Sequence, residues 1–429
     1  MAVDGIRIPN SSKKSPKLNE FMKGVLTVLV FLISNNLFAQ TDNKIVIGNI
    51  DSIQSKILKE KRNIWIYVPK VKYDSAFLPQ KFPVVYLLDA EQGDNFSSVV
   101  GMVQKLSERN DVNGNRVCPQ MIVVGIPNTK RIRDLTPTKD SNNALLASSG
   151  GGEQFMSFME KELTPYIDST YPTLSYKMLI GHSFGGLTVI NALINHTKLF
   201  NSYIAIDPSM GWDNQHFLKV GEQILSQNSF AGKTLYVGIA NTMEKGMNVN
   251  DVVNDTTRAT LHIRSILDMD KYIKNIKPKG FNYASKYYEN DNHVSVPFIT
   301  EYDGLCFIFK QFPIDLPFKE FNDSTVDVAN RYALHFKKLS ELFGYKVVLP
   351  ENELNALAYR FLQMKQYKKA AGLLNLYIDS YPKSANGYDS YGDYYIAIGD
   401  KLKAIEFFKK ALTIKEFTDT RKKLNKLLE

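Results

Sequence analysis

The stretch Lys177 to Gly186, reading Lys-Met-Leu-Ile-Gly-His-Ser-Phe-Gly-Gly, constrains the fold of this chain more than any other. The apolar run Met178 to Ile180 enters a Gly-x-Ser-x-Gly turn at Gly181, Ser183 and Gly185, and helix-compatible residues from Leu187 to Asn195 lead out. A strand, a tight turn and a helix in that order make a strained corner that lifts a serine hydroxyl clear of the strand end, and the glycines let backbones pass close together. A bare pentapeptide of this kind also arises by chance in glycine-rich loops; the strand before it and the helix after it argue against that.

The corner needs a sheet around it, and the chain supplies one. Lys44 to Ile47 and Asn63 to Val68, separated by a stretch containing the charged segment Lys59 to Arg62, read as an initial antiparallel pair. Phe82 to Leu88 and Met121 to Ile126 are continuously apolar, as expected of strands covered on both faces. Tyr203 to Ile206, ending at Asp207-Pro208, Thr234 to Ile239 and Tyr283 to Tyr288 complete eight strands, the elbow following the fifth. Helices are expected over Ser97 to Leu106, Phe155 to Tyr166 and Arg258 to Met269, and a loop over Arg131 to Gly152. Strands alternating with helices imply an α/β fold: a mostly parallel eight-stranded sheet with helices on both faces.

From about residue 320 strands disappear. Asp323 or Ser324 caps an expected helix, and Leu354, Leu357, Ala358, Phe361, Ala370, Leu374 and Tyr377 recur 34 positions later as Tyr388, Tyr391, Gly392, Tyr395, Ala404, Phe408 and Ala411. Small residues at helix crossings with aromatics between them resemble tetratricopeptide repeats; Pro382 falls where that family places its proline, while Glu416 breaks the match in the second copy. Two repeats are fewer than normally stand alone, so they are expected to stack on the preceding helix or on the sheet domain. The organisation read from 429 residues is thus a leader over 1–39, an α/β domain over 40–315, a helical linker over 316–350 and a small all-α domain of two repeats over 351–429.

The leader follows from four lysines, Lys13, Lys14, Lys17 and Lys23, before the apolar run Gly24 to Ile33 and the small residue Ala39, the order of a secretory signal with Met22 as an alternative start. The run is short for a membrane span, so export to the periplasm or outside the cell is expected, without a stable span once the leader is removed. The formal charge of +9 falls to +6 without that leader, which holds five Lys/Arg against two Asp/Glu; an unclustered excess of this size does not point to nucleic acid. Cys118 and Cys306 could pair in an oxidising compartment, but two distant cysteines more often sit unpaired in a core. They make no metal framework, and neither cofactor nor metal is expected.

A serine hydroxyl is a poor nucleophile near neutral pH; a histidine must take its proton and a carboxylate must orient that histidine. Of six histidines, His182 lies inside the elbow, His196 and His262 in helical patterns, His216 after Trp212-Asp213, and His335 in the helical tail. His293, after the last strand, stands where the chain order serine, acid, histidine requires the base. The acid is expected after Thr234 to Ile239, with Glu244 first and Asp251 or Asp255 as alternatives; a serine–histidine dyad is a further one. Backbone N–H groups of Phe184 and Glu91 are the expected oxyanion donors.

Val85 to Asp89, Arg133-Asp134-Leu135-Thr136-Pro137, Gly181 to Gly186 and Asn292 to Pro297 together resemble the putative esterase family of α/β-hydrolases, which includes enterochelin (siderophore) esterases, esterase D, feruloyl and acetylxylan esterases and mycolyltransferases. The resemblance covers roughly residues 45 to 310 and implies a metal-independent Ser-His-acid hydrolase of carboxylic esters with Ser183 as nucleophile, His293 as base and Glu244 as acid. Ala90 stands where many relatives carry glycine. The Arg133 segment looks like the siderophore-esterase branch. Arg133 is expected either to bind an anionic or phenolic substrate group or to brace its loop with Asp134, and Trp212 either to line the acyl pocket or to pack. A small-molecule or oligosaccharide-linked ester is the expected substrate, with a protein as a further partner of the repeats. Peptidase or acyltransferase chemistry uses the same machinery, and an inactive scaffold for protein binding is the reading from another class.

Overall fold

The computed structural model describes residues 45–70, 76–91, 93, 95–108, 115–140 and 144–429. The expected leader, residues 1–39, lies outside them. Residues 47–429 form one compact unit.

Eight strands make a single sheet: β1 Asn49–Ser55, β2 Glu60–Tyr67, β3 Phe82–Leu88, β4 Ile122–Ile126, β5 Thr173–His182, β6 Ser202–Ile206, β7 Thr234–Ala240 and β8 Asn282–Tyr288. Their order is β1-β2-β4-β3-β5-β6-β7-β8. The sheet is mixed: β1 and β2 run antiparallel, as do β2 and β4, and the other pairings are parallel. The first strand begins at Asn49, later than the expected Lys44 to Ile47, and the second begins inside the charged segment, at Glu60. An edge strand with one partner carries polar and exposed residues, so apolar runs mark it poorly.

Strands β3, β4 and β6 are buried along their whole length, and β7 along all but Thr234, because both faces are covered. Side chains of β3 alternate between two cores: Val84, Tyr86 and Leu88 join one, Val85 and Leu87 the other. On the helical side, α1 is Asn95–Leu106; α2 runs as Gly152–Phe158, a π turn Met159–Leu163 and Thr164–Thr170; α3 is Phe184–Asn195; α4 is His216–Gln227; α5 is Leu261–Ile276; and α6 is Val296–Ile308. The first core takes Phe155 and Phe158 of α2, Leu187 and Val189 of α3, Phe217 of α4 and Ile266 of α5. The second takes Val99 and Val103 of α1 and Val296 and Leu305 of α6. Helix α4 has no counterpart in the elements read from sequence.

The helical tail comprises α7 Val328–Phe343, α8 Glu351–Gln363, α9 Tyr367–Ser380, α10 Ala385–Ala397, α11 Lys401–Ile414 and α12 Thr418–Leu428. Leu339, Phe343 and Val347 enter the second core of the sheet domain beside Tyr176 and Phe309. Helices α8 with α9 and α10 with α11 form hairpins. A Cβ on Gly392 would lie 2.4 Å from the Phe408 ring, so the second hairpin closes only with glycine there. Cys118, buried, and Cys306, half-buried, are both free thiols. Among the described residues no helix is long and apolar enough to cross a membrane.

Candidate functional site

The corner at the end of β5 is as tight as its sequence implies. Ser183 has φ 58° and ψ −114°, a left-handed backbone unusual for serine. A Cβ on Gly181 would sit 2.4 Å from the Gly185 carbonyl oxygen, so the chain can fold back on itself only there. Ser183 N–H donates to Ile206 O at 2.9 Å, and Ser183 O accepts from Leu187 N at 2.9 Å and Ser209 N at 3.1 Å. The hydroxyl faces Ser209 Oγ at 3.2 Å. Phe184 is the first residue of α3, so its N–H lies outside that helix's own hydrogen-bond ladder.

His293 stands in the loop after β8. Asn241 N, at the end of β7, donates to Asp291 O at 2.8 Å, and Asn292 Oδ1 accepts from Val294 N and Ser295 N. These bonds hold the imidazole 4.4 Å, ring to ring, from His182 and so beside the elbow.

The carboxylate at His293 is Asp207, not Glu244. Asp207 follows β6, is fully buried, and accepts from His293 Nδ1 at 2.5 Å and His262 Nε2 at 2.9 Å, both on Oδ2. Its Oδ1 accepts from Ala240 N at 3.0 Å. Burial pushes the Asp207 pKa up, but the hydrogen bonds from His262 and His293 more than offset it and hold the carboxyl well below the usual range. Glu244 is exposed in a turn closed by Met247 N on Glu244 O. Asp251 lies in a short helix begun by Asn248, and Asp255 caps Thr257. The expected order serine, acid, histidine is met one strand earlier than expected, because β6 lies between β5 and β7 and its end points between the elbow and His293. Its signal was the Asp-Pro that ends Tyr203 to Ile206.

His182, between strand and serine, is mostly buried. Burial, then repulsion from His293, takes its pKa down to about 4, so its ring is neutral at physiological pH. Arg131, rather than Arg133, borders the elbow: it holds Asp89 bidentately at 2.8 and 2.9 Å, reaches His182 O at 3.5 Å, and lies 5.3 Å over the Phe184 ring. Arg133 is occupied elsewhere. It pairs with Glu60 through Nη1 and Nη2 at 3.1 and 2.6 Å and with Asp134 at 2.6 Å, and Asp134 also binds buried Arg62, so Arg133 braces its loop and is not offered to a ligand. Trp212 packs edge-on to Phe184 and donates through Nε1 to Thr138 O at 3.1 Å, tying the loop of residues 131–140 to α3. Glu91 remains at the end of β3, its carboxylate accepting from Asn128.

A strained serine at a strand-to-helix corner, beside an imidazole that donates to a buried carboxylate, on a mixed sheet with helices on both faces, defines the α/β esterase-type class. The model of the Putative esterase family matches residues 55–314, and the chain belongs to that family. It is 30% identical over 200 residues to the ferri-bacillibactin esterase BesA of Bacillus subtilis, covering 43% of this chain and 67% of that one. A siderophore enterobactin esterase of Emericella nidulans is 26% identical over 159 residues, 33% of this chain and 51% of the relative. Among solved structures, an IroE-like serine hydrolase from Shewanella oneidensis superposes with a TM-score of 0.64 at 32% identity, covering 77% of this chain and 98% of its own. These likenesses make the chain an ester hydrolase of α/β type.

Proposed function

We propose that the protein is an exported serine esterase working through an acyl-enzyme at Ser183, with His293 as base and Asp207 as the carboxylate that orients it. The observation that carries this reading is the 2.5 Å hydrogen bond between His293 Nδ1 and Asp207 Oδ2 beside the strained serine. With Nδ1 committed to Asp207 as donor, Nε2 keeps the lone pair that accepts the Ser183 proton as Oγ attacks the ester carbonyl. The Phe184 N–H, with a second donor from the Glu91 turn, takes the oxyanion. Collapse returns the proton from Nε2 to the leaving alkoxide, and water repeats the sequence to release the acid. The substrates that fit the relatives' names are siderophore-type esters. Export is supported by the lysines and apolar run ahead of Ala39.

A fluorophosphonate probe should label wild-type protein at Ser183 and leave Ser183→Ala unlabelled. Turnover of p-nitrophenyl acetate should fall to background in Ser183→Ala and His293→Ala with folding intact. Wild-type turnover in either variant refutes the assignment. A panel of acetyl, feruloyl, short-acyl and siderophore-lactone esters then ranks substrates.

A further inference from the structure

Asp207 receives two imidazoles, and the catalytic reading above uses one. His262 stands in the first turn of α5, its side chain 30% exposed, and its Nε2 lies 2.9 Å from the same Oδ2 that His293 Nδ1 meets at 2.5 Å. The two rings cross at 89° with centroids 5.2 Å apart. We infer that His262 is a positioning residue of this centre: without touching substrate, it fixes the Asp207 carboxylate through Nε2–H and so fixes the tautomer and orientation of His293. The inference rests on Ser183, His293 and Asp207 being the catalytic set.

The physical case is one of rotation. A carboxylate turns in a broad two-fold well about its last bond. The Ala240 N–H engages Oδ1, but Oδ2 must serve a histidine on the loop after β8, which Asn241 holds through Asp291 O and Glu289 O. A second donor on Oδ2, carried by a helix, resists the rotation that would carry Oδ2 away from His293. It also commits His262 to the tautomer with the proton on Nε2, just as His293 is committed to Nδ1–H, so the order of protons round the carboxylate is set before substrate arrives. Asp207, His262 and His293 each offer one ligand atom within 4.8 Å of the others, so the three could also be read as ligands to a metal ion. Both nitrogens instead lie within hydrogen-bond reach of the carboxylate oxygen itself, and a cation there would need both nitrogens bare.

The test uses the full chain with His262→Phe, which keeps a ring without the donor, and His262→Gln, whose amide N–H can replace Nε2–H. The Phe variant should lose about 10- to 100-fold in kcat with KM within about twofold, the size typical when an outer partner is removed, and Gln should recover to within about fivefold of wild type. Equal kcat in wild type and Phe, or equal losses in Phe and Gln, overturns the inference, as does activity lost on chelation and restored by zinc. A readout independent of turnover is the hydrogen-bonded Nδ1 proton of His293, seen by proton NMR on histidine-labelled protein. It should resonate far downfield in wild type, move in the Phe variant and return with Gln. An absent or unmoved resonance refutes the positioning role whatever the enzyme hydrolyses. A resonance that moves as expected in a protein that cleaves no ester refutes the catalytic reading instead.

Discussion

Asp89, Ser183 and Asp207 each hold a left-handed backbone, with φ of 54°, 58° and 41°, at the ends of the adjacent strands β3, β5 and β6. Such residues cost on the order of 1–3 kcal/mol each and persist only where the surroundings over-determine them. Here two of the bonds that do so are cross-strand, Ser183 N to Ile206 O and Asp207 N to Gly238 O, and the third is a loop side chain, Arg131, on the Asp89 carboxylate. Each strained residue is thus pinned by a neighbouring strand or loop, and the side chains converge on one end of the sheet. The residue that decides the assignment is Asp207. Asp207→Asn keeps the volume but removes the charge and favours the wrong His293 tautomer; kcat should fall by about 10³- to 10⁴-fold with little change in KM. Glu244→Gln should stay within about twofold of wild type. The reverse pattern in kcat would restore Glu244 as the acid and remove Asp207.

Among the elements, α6 carries the loop of His293 into the core and also a liability. Glu301 is fully buried, both carboxylate oxygens lack a hydrogen-bond partner, and burial raises its pKa to about 8. The folded state therefore holds it neutral while the unfolded chain ionises it near 4.5. The stability it supports is complete below about 4.5 and is lost as pH rises toward 8. Glu301→Gln removes that dependence. The melting temperature of the variant relative to wild type should climb between pH 5 and 8, by an amount corresponding to a few kcal/mol at most; a difference that stays flat across that range refutes the neutral buried carboxyl. Legibility also varied by element. Strands β3 to β7 were readable because most of each is covered on both faces and their apolar runs are local, whereas β8 is an edge strand of mostly half-buried residues and was readable from its tyrosines, Tyr283, Tyr287 and Tyr288. Strand β1 was misplaced because its one-sided pairing tolerates polar residues and an exposed Ile50. Helix α4 was missed because it follows left-handed residues at Asp213, Asn214 and Gln215 and buries only Phe217, Leu218, Gly221 and Leu225. The elbow was legible because it is written in consecutive residues. Asp207 lies 86 positions from His293, and which strand end reaches the histidine is settled by sheet order, which no local pattern records.

For the molecule as a whole, the helical tail is built into the sheet domain through its first helices. Leu339, Phe343 and Val347 belong to the second core, Arg116 pairs with Glu353, and Leu78 N donates to Glu351 at 2.7 Å. The same junction borders a cavity of about 930 Å³, lined by Phe77, Phe336, Tyr345 and Leu349 among others and formed by neither elbow nor His293. By contrast Ala404, Phe408 and Leu424 form a separate small cluster. Burying three side chains such as Leu339, Phe343 and Val347 contributes about 1.5–3 kcal/mol each, a sum comparable to the roughly 5–15 kcal/mol by which a domain is stable. A chain ending at residue 315 loses all three together with the Arg116 and Leu78 contacts, so it should aggregate or melt many degrees below the full chain. A chain ending at Gly399 keeps α7 to α10 and the whole second core, giving up only the outer cluster and its packing on α10. It should retain ester turnover within about twofold, with the sheet domain melting within a few degrees of the full chain. Expression of both chains, followed by thermal melting and p-nitrophenyl ester hydrolysis, separates the cases. A soluble, fully active 1–315 chain would show that the first tail helix is an appendage and not part of the hydrolase core.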